Sequence, residues 1–407
     1  MTITLPKTAL LAAALLMGHA AYADDNKTDN KSDYQFTVVI ENPITSIKNQ
    51  NRSGTCWAFS SLGFLEAELL RTKKKTYDLC EAFLVRKTYM DRAEAAVRMH
   101  GDISFSQGGS FYDAIYCLKN YGICPEDAMP RPGTLYGDTL FNHNELDAVS
   151  TAYVEAIAKS KLKKLSPAWK QGLSGIYDAY IGKEPETFTY EGKTYTPKTF
   201  AESLGLNPDD YVSLTSFTHH PYYTSFAIEV QDNWRWANSY NLPLDEFMET
   251  MESAVRNGYT FAWGADVSET DFARAGGDHE GIALVPAITT DNDATGSDQA
   301  KWIGSISTNK EQAEKDVKGE KTITPQLRQE GYDNWTTTDD HGMIIYGLSK
   351  DQNGKEYFMM KNSWGNYGRY HGKAYISKAY VAYKTMNILI NKNAIPKKIA
   401  KKLGLDR

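Results

Sequence analysis

Residues 49–71, "NQNRSGTCWAFSSLGFLEAELLR", set one cysteine, Cys56, behind a Ser-Gly-Thr turn and ahead of a long helical pattern. Ala58, Leu62, Leu65 and Leu69 recur on one helix face. Arg71 and Lys73 to Lys75 then supply cations where the helix dipole ends. A helix N-terminus offers unpaired N–H groups and partial positive charge, which stabilise a thiolate, the reactive form of cysteine. A cysteine beside a tryptophan on an apolar helix is, by itself, more often a packed side chain. Chemistry at Cys56 therefore needs partners elsewhere in the chain.

A nucleophilic thiol requires a base. His341 opens the strand pattern "HGMIIYGLS", the turn signal "DQNGK" follows, and "EYFMMKNSWG" returns. A hairpin centred near Asn353-Gly354 brings Asn362 back to the end where His341 starts. An asparagine amide can accept the imidazole N–H and orient the ring without neutralising it. The oxyanion of an acyl intermediate needs donors; the Cys56 backbone N–H is one, and the side chain of Gln50 can be the other.

Four segments, "NQNRSGTCWAFSS", "SQGGSFYDAIYCLKNYG", "DHGMIIYG" and "KNSWG", resemble the landmark segments of the papain-like cysteine peptidases, in their order. The resemblance implies Cys56 as nucleophile, His341 as acid and base, Asn362 as orienter and Gln50 as oxyanion donor. It implies that Trp364 shields the His–Asn bond, and that Gly108 and Gly109 let substrate backbone approach closely. "DDYVSLTSFTHHPYY" and "DEFMETMESAVRNGYTFAWGADVSE" resemble the bleomycin hydrolase/aminopeptidase C group, and that likeness covers most of residues 40–395. Two features depart from the wider pattern. Ser53 stands where many papain-like enzymes carry a second cysteine, and 285 residues separate Cys56 from His341. In the bleomycin hydrolase group a C-terminal carboxylate lies in the cleft and holds the substrate's amino group. Here only Gly404 to Arg407 follow the last amphipathic turn, with the Arg407 carboxylate and Asp406 as candidates for that task. Aminopeptidase activity is the expectation. An endopeptidase or dipeptide-releasing enzyme with an open cleft, or a non-catalytic peptide-binding relative, remain the alternatives.

The expected fold is α+β and papain-like. Residues 34–130 form a helical subdomain with Cys56, residues 131–255 a helical insertion, and residues 256–395 a β-rich subdomain with His341 and Asn362. A tail, 396–407, closes the chain. The N-terminus reads as an export signal over residues 1–23, with Lys7, an apolar run Thr8–Met17, and Ala21 and Ala23 before the cut. A polar, disordered leader spans 24–33. The expected location is periplasmic or secreted. The apolar run is too short for an integral membrane span. The chain carries 45 Lys+Arg against 51 Asp+Glu, a net charge of -6, which argues against nucleic acid as a partner. Peptides are the expected substrates, a homo-oligomer is possible from the family likeness, and no cofactor or metal is expected. "DNDATGSDQAKW" lacks the glutamate of a calcium loop, and His279-Glu280 lacks a second histidine for zinc. His219 and His220, as sequence neighbours, are expected to point different ways. The four cysteines, 56, 80, 117 and 124, are too few to be the scaffold.

Overall fold

The structure is a computed structural model that describes residues 34–129, 140–269, 272, 280–285 and 320–405. The export signal, the leader, His279, the loop 291–302 and the residues Asp406 and Arg407 lie outside them.

Helix α1 (Cys56–Lys73) starts where the turn ends, with Thr55 as N-cap; the Ala58 and Phe59 amides both donate to Thr55 O. Gly54 is required in that turn, because a Cβ there would lie 2.9 Å from Gln107 Cβ. The helix stops at Lys74, in the left-handed region with φ 56°. Instead of one apolar face, every residue from Trp57 to Leu69 is buried. Helices α2 (Glu81–Arg98) and α3 (Phe111–Asn120) cover one side of α1 and the sheet covers the other. The two buried acids are paired. Glu66 accepts from Thr45, Lys48 and the Leu79 amide, and Glu68 accepts from Arg71 and Asn391.

Strand β1 (Thr37–Glu41) precedes α1 and pairs with the later hairpin. Beyond α3 come α4 (Asn144–Ala158) and α5 (Ala168–Tyr180), which pack on each other and on α2. A small hairpin of β2 (Phe188–Tyr190) and β3 (Lys193–Tyr195) leads to α6 (Pro197–Leu204). The insertion is not purely helical. Strands β4 (Tyr211–Thr215), β5 (Ser225–Ala227) and β6 (Asn238–Asn241) fall within 131–255 and join the main sheet. These strands are three to five residues long and carry polar groups such as "NSYN", so no apolar alternation marks them. After α7 (Leu244–Arg256) follow β7 (Phe261–Ala265), β8 (Ile282–Ala283), β9 (His341–Lys350), β10 (Glu356–Lys361), β11 (Lys373–Ser377) and β12 (Thr385–Asn391).

Among the described residues these strands form a ten-stranded sheet in the order β5-β6-β4-β12-β7-β9-β10-β11-β8, with β1 on β9. The β9–β10 hairpin turns where the Asn353-Gly354 signal lies. Asp351 Oδ1 accepts the amides of Asn353 and Lys355, and Gly354 takes a φ of 81° that favours glycine. From His341 to Ser349 all of β9 is buried, since α1 packs on one face and the β-rich core on the other. That double burial explains its continuous apolar run. Among the described residues two large apolar cores result, beside two small clusters around Phe217 and Tyr357. One large core gathers α1 to α6, and the other lies around Trp263, Ile345 and Tyr380. All four cysteines are free thiols.

Candidate active site

The junction between the two cores holds a cleft of about 470 Å³, lined by Cys56, Gly109, Asp232, Asp339 and His341 among others. Cys56 is the first residue of α1 and keeps partial exposure. His341 is the first residue of β9, and Gly342 behind it lets α1 come close. A Cβ on Gly342 would lie 2.6 Å from Ser60 Oγ and 3.3 Å from the Cys56 carbonyl oxygen. The Gly342 and Trp57 backbone groups hydrogen-bond the Cys56 sulfur and favour its thiolate form.

Asn362 follows β10, and its Oδ1 lies 2.7 Å from His341 Nε2. The amide's orientation is fixed from both sides. Oδ1 accepts from Ser363 N at 2.8 Å, and Nδ2 donates to the Tyr367 hydroxyl at 2.9 Å. The Nε2 atom of His341 must then carry its proton toward Oδ1, which leaves Nδ1 as the basic nitrogen. Trp364 stacks on the His341 ring, with centroids 4.7 Å apart and planes at 29°. Gln50 is fully buried and does not line the cleft. Its Oε1 accepts from Ser363 Oγ at 2.6 Å, and its Nε2 donates to Ser53 O at 2.9 Å. One Nε2 hydrogen remains, and the side chain ties the loop before Cys56 to the residue after Asn362.

The two glycines divide their tasks. Gly109 lines the cleft and abuts the Trp57 indole, which a Cβ would meet at 2.8 Å. Gly108 instead makes room for Asp232, whose carboxylate lies 2.0 Å from where a Cβ would sit, while Gly108 O accepts from buried Arg92. Asp232, on the loop after β5, and Asp339, two residues before His341, were not legible as site residues. Neither has a local motif, and only the fold brings both to the cleft.

Burial pushes the Cys56 thiol up to about 12 and the His341 imidazole down to about 4. Asp232 and Asp339 add to the rise at Cys56, and the Asn362 hydrogen bond opposes the fall at His341. Each group alone is thus driven to its neutral form. Asp339 is itself raised to about 7, by burial first and then by the charge of Asp232.

A thiol at a helix start, a histidine held by an asparagine, a buried glutamine and a cleft form a constellation suited to acyl transfer. The model of the Peptidase C1-like family matches residues 5–283, more than half of the chain. The chain belongs to the Peptidase C1-like family. Its C1-like relatives include aminopeptidase C of Streptococcus thermophilus, 20% identical over 91% of this chain and 85% of that protein. Aminopeptidase G of Lactobacillus delbrueckii subsp. lactis is 25% identical, but the match covers 56% of this chain and 60% of that relative's length. Among solved structures, PepW from Lactobacillus rhamnosis superposes with a TM-score of 0.65 at 20% identity, covering 90% of this chain and 84% of that one. The C1-like fold is therefore papain-like, as the four segments implied. No helix among the described residues is long and apolar enough to cross a membrane.

Proposed function

We propose that the protein is a cysteine aminopeptidase. His341 Nδ1 takes the proton of Cys56, and the sulfur attacks the carbonyl of the substrate's first residue. The Cys56 backbone N–H receives the oxyanion, and Gln50 holds the loop before Cys56 against the residue after Asn362. The imidazolium then protonates the departing amine as the C–N bond breaks, and water, deprotonated by His341, releases the acyl group. Relatives that carry the name aminopeptidase support this activity. The observation that carries it is the pair of acids, Asp232 and Asp339, lining the same cleft as Cys56. An ammonium drawn into a cleft needs a carboxylate, because an unpaired buried charge costs several kcal/mol. The pair supplies that charge from the chain's interior. Asp339 has no hydrogen-bond or ion-pair partner among the described residues, whereas Asp232 faces Arg92 Nη1 at 3.4 Å. Export through residues 1–23 and self-association belong to the same proposal; they rest on the sequence pattern and the family likeness.

The test compares a reporter peptide bearing a free amino terminus with its acetylated twin. The free form should be cleaved at least about tenfold faster, roughly 1.4 kcal/mol, and Asp339→Asn should erase most of that preference. Equal rates in the wild type would instead describe an endopeptidase with an open cleft.

A further inference from the structure

His219 and His220 do not point different ways. Both rings turn toward Glu229, which lies just beyond β5, with His219 Nε2 3.4 Å from Oε2 and His220 Nε2 3.6 Å from Oε1. One ligand atom from each of the three lies within 4.8 Å of the others. A tetrahedral zinc with bonds of about 2.0–2.1 Å spaces its ligand atoms about 3.3–3.4 Å apart, so little movement would be needed.

The surroundings fix which atoms face inward. Gln329 Oε1 accepts from the amides of Thr218 and His219, at 2.7 and 3.2 Å, while Gln329 Nε2 donates to Asp333. That oxygen also faces His219 Nδ1 at 3.1 Å, so Nδ1 must be the protonated nitrogen. The neutral ring then presents the bare lone pair of Nε2 to a carboxylate oxygen. At that distance the contact needs a positive charge between the two atoms, either the proton of an imidazolium or a metal cation in its place. An amide acceptor behind a ligating histidine is also how metal sites orient their imidazoles. Tyr332 donates to Glu229 from the same helix, Pro325–Asp333, that carries Gln329. The His220 ring is stacked on Phe226 at 4.1 Å, which holds it in place.

We propose that His219, His220 and Glu229 bind a divalent first-row transition cation of the zinc type. Two imidazole nitrogens with one carboxylate form a ligand set suited to Zn²⁺, Co²⁺ or Ni²⁺ rather than to Mg²⁺ or Ca²⁺. The cation clasps two pieces of chain, the turn after β4 and the segment after β5, and the helix Pro325–Asp333 braces both through Gln329 and Tyr332. Ile228 and Val230, on either side of Glu229, line the catalytic cleft, and Asp232 follows. The metal therefore sets the rigidity of a cleft wall and takes no part in hydrolysis.

The experiment uses the full chain without a polyhistidine tag, stripped with chelator, in a Cys56→Ala background so that the catalytic thiol cannot bind metal. Titration with Zn²⁺ should show one bound equivalent and a higher melting temperature. Glu229→Gln should weaken that binding at least about tenfold. Co²⁺ should give the visible bands of a four-coordinate site without a thiolate charge-transfer band. Hydrogen exchange on the Cys56→Ala protein, otherwise unsubstituted, keeps the test independent of how the variant folds: zinc should protect residues 217–220, 228–233 and 325–333. Binding equal in the Glu229→Gln protein, a thiolate band, or no zinc-dependent protection in those segments would each overturn the proposal.

Discussion

His341 commits Nε2 to Asn362 and keeps Nδ1 as the basic nitrogen, and this makes the charge state of Cys56 conditional. Alone in its surroundings, the thiol is pushed up to about 12. A proton can leave it only if the imidazole accepts that proton. Replacing His341 with Gln should therefore shift the midpoint of Cys56 alkylation from below the free-cysteine value of about 8.5 toward about 12. The measurement is iodoacetamide rate against pH; a midpoint that stays near about 8.5 in the variant would show that burial does not control the thiol. Cys56 and Asn362 were legible in the sequence because each owes its place to a local rule, a helix start in one case and a hairpin return in the other. Trp364 was legible only through family likeness, and Gln50 only through its place before Cys56. Asp232 was not legible at all, since its meaning comes from Gly108, more than a hundred positions away in the chain.

At the level of elements, the helix Pro325–Asp333 shows how a buried cation can organise packing. Arg328 is fully buried and donates to the carbonyl oxygens of Ser216, Ala382, Tyr383 and Thr385. Its guanidinium also lies 4.6 Å over the Phe217 ring. These bonds join the helix to the turn after β4, to the helix Lys378–Lys384 and to the start of β12. Arg328→Met fills similar space but leaves four carbonyls without their donor. It should destabilise the protein by on the order of 3–5 kcal/mol, read as a lower urea midpoint at unchanged slope. If the midpoint holds, the carbonyls have found water and the arginine is not the clasp. This helix lay beside a polar stretch and was not anticipated from sequence, whereas β9 and β10 were, because their apolar runs flank an unmistakable turn. Strands β4 to β6 escaped notice for the opposite reason: they are short, half polar, and stable only beside β12.

Over the whole molecule, the cleft acids set function against stability. The folded Asp339 carboxyl is raised to about 7, above its unfolded value of about 3.9. Between those values the folded chain holds a proton that the unfolded chain has lost, so stability falls as pH rises through that window. Asp339→Asn removes the dependence. Urea unfolding should find the variant as stable as the wild type near pH 4, and about 2–4 kcal/mol more stable near pH 8. An equal difference at both pH values would mean that the carboxylate ionises freely in the cleft. The sheet imposes an order on assembly. Strand β12 sits between β4 and β7, and Met386, Asn387 and Leu389 close one side of the cleft. On a ribosome, Cys56 emerges some three hundred residues before those side chains do. Until they arrive, β4 and β7 lack the partner between them and the nucleophile faces no finished wall. A nascent chain therefore carries its thiol before it has a cleft in which to use it.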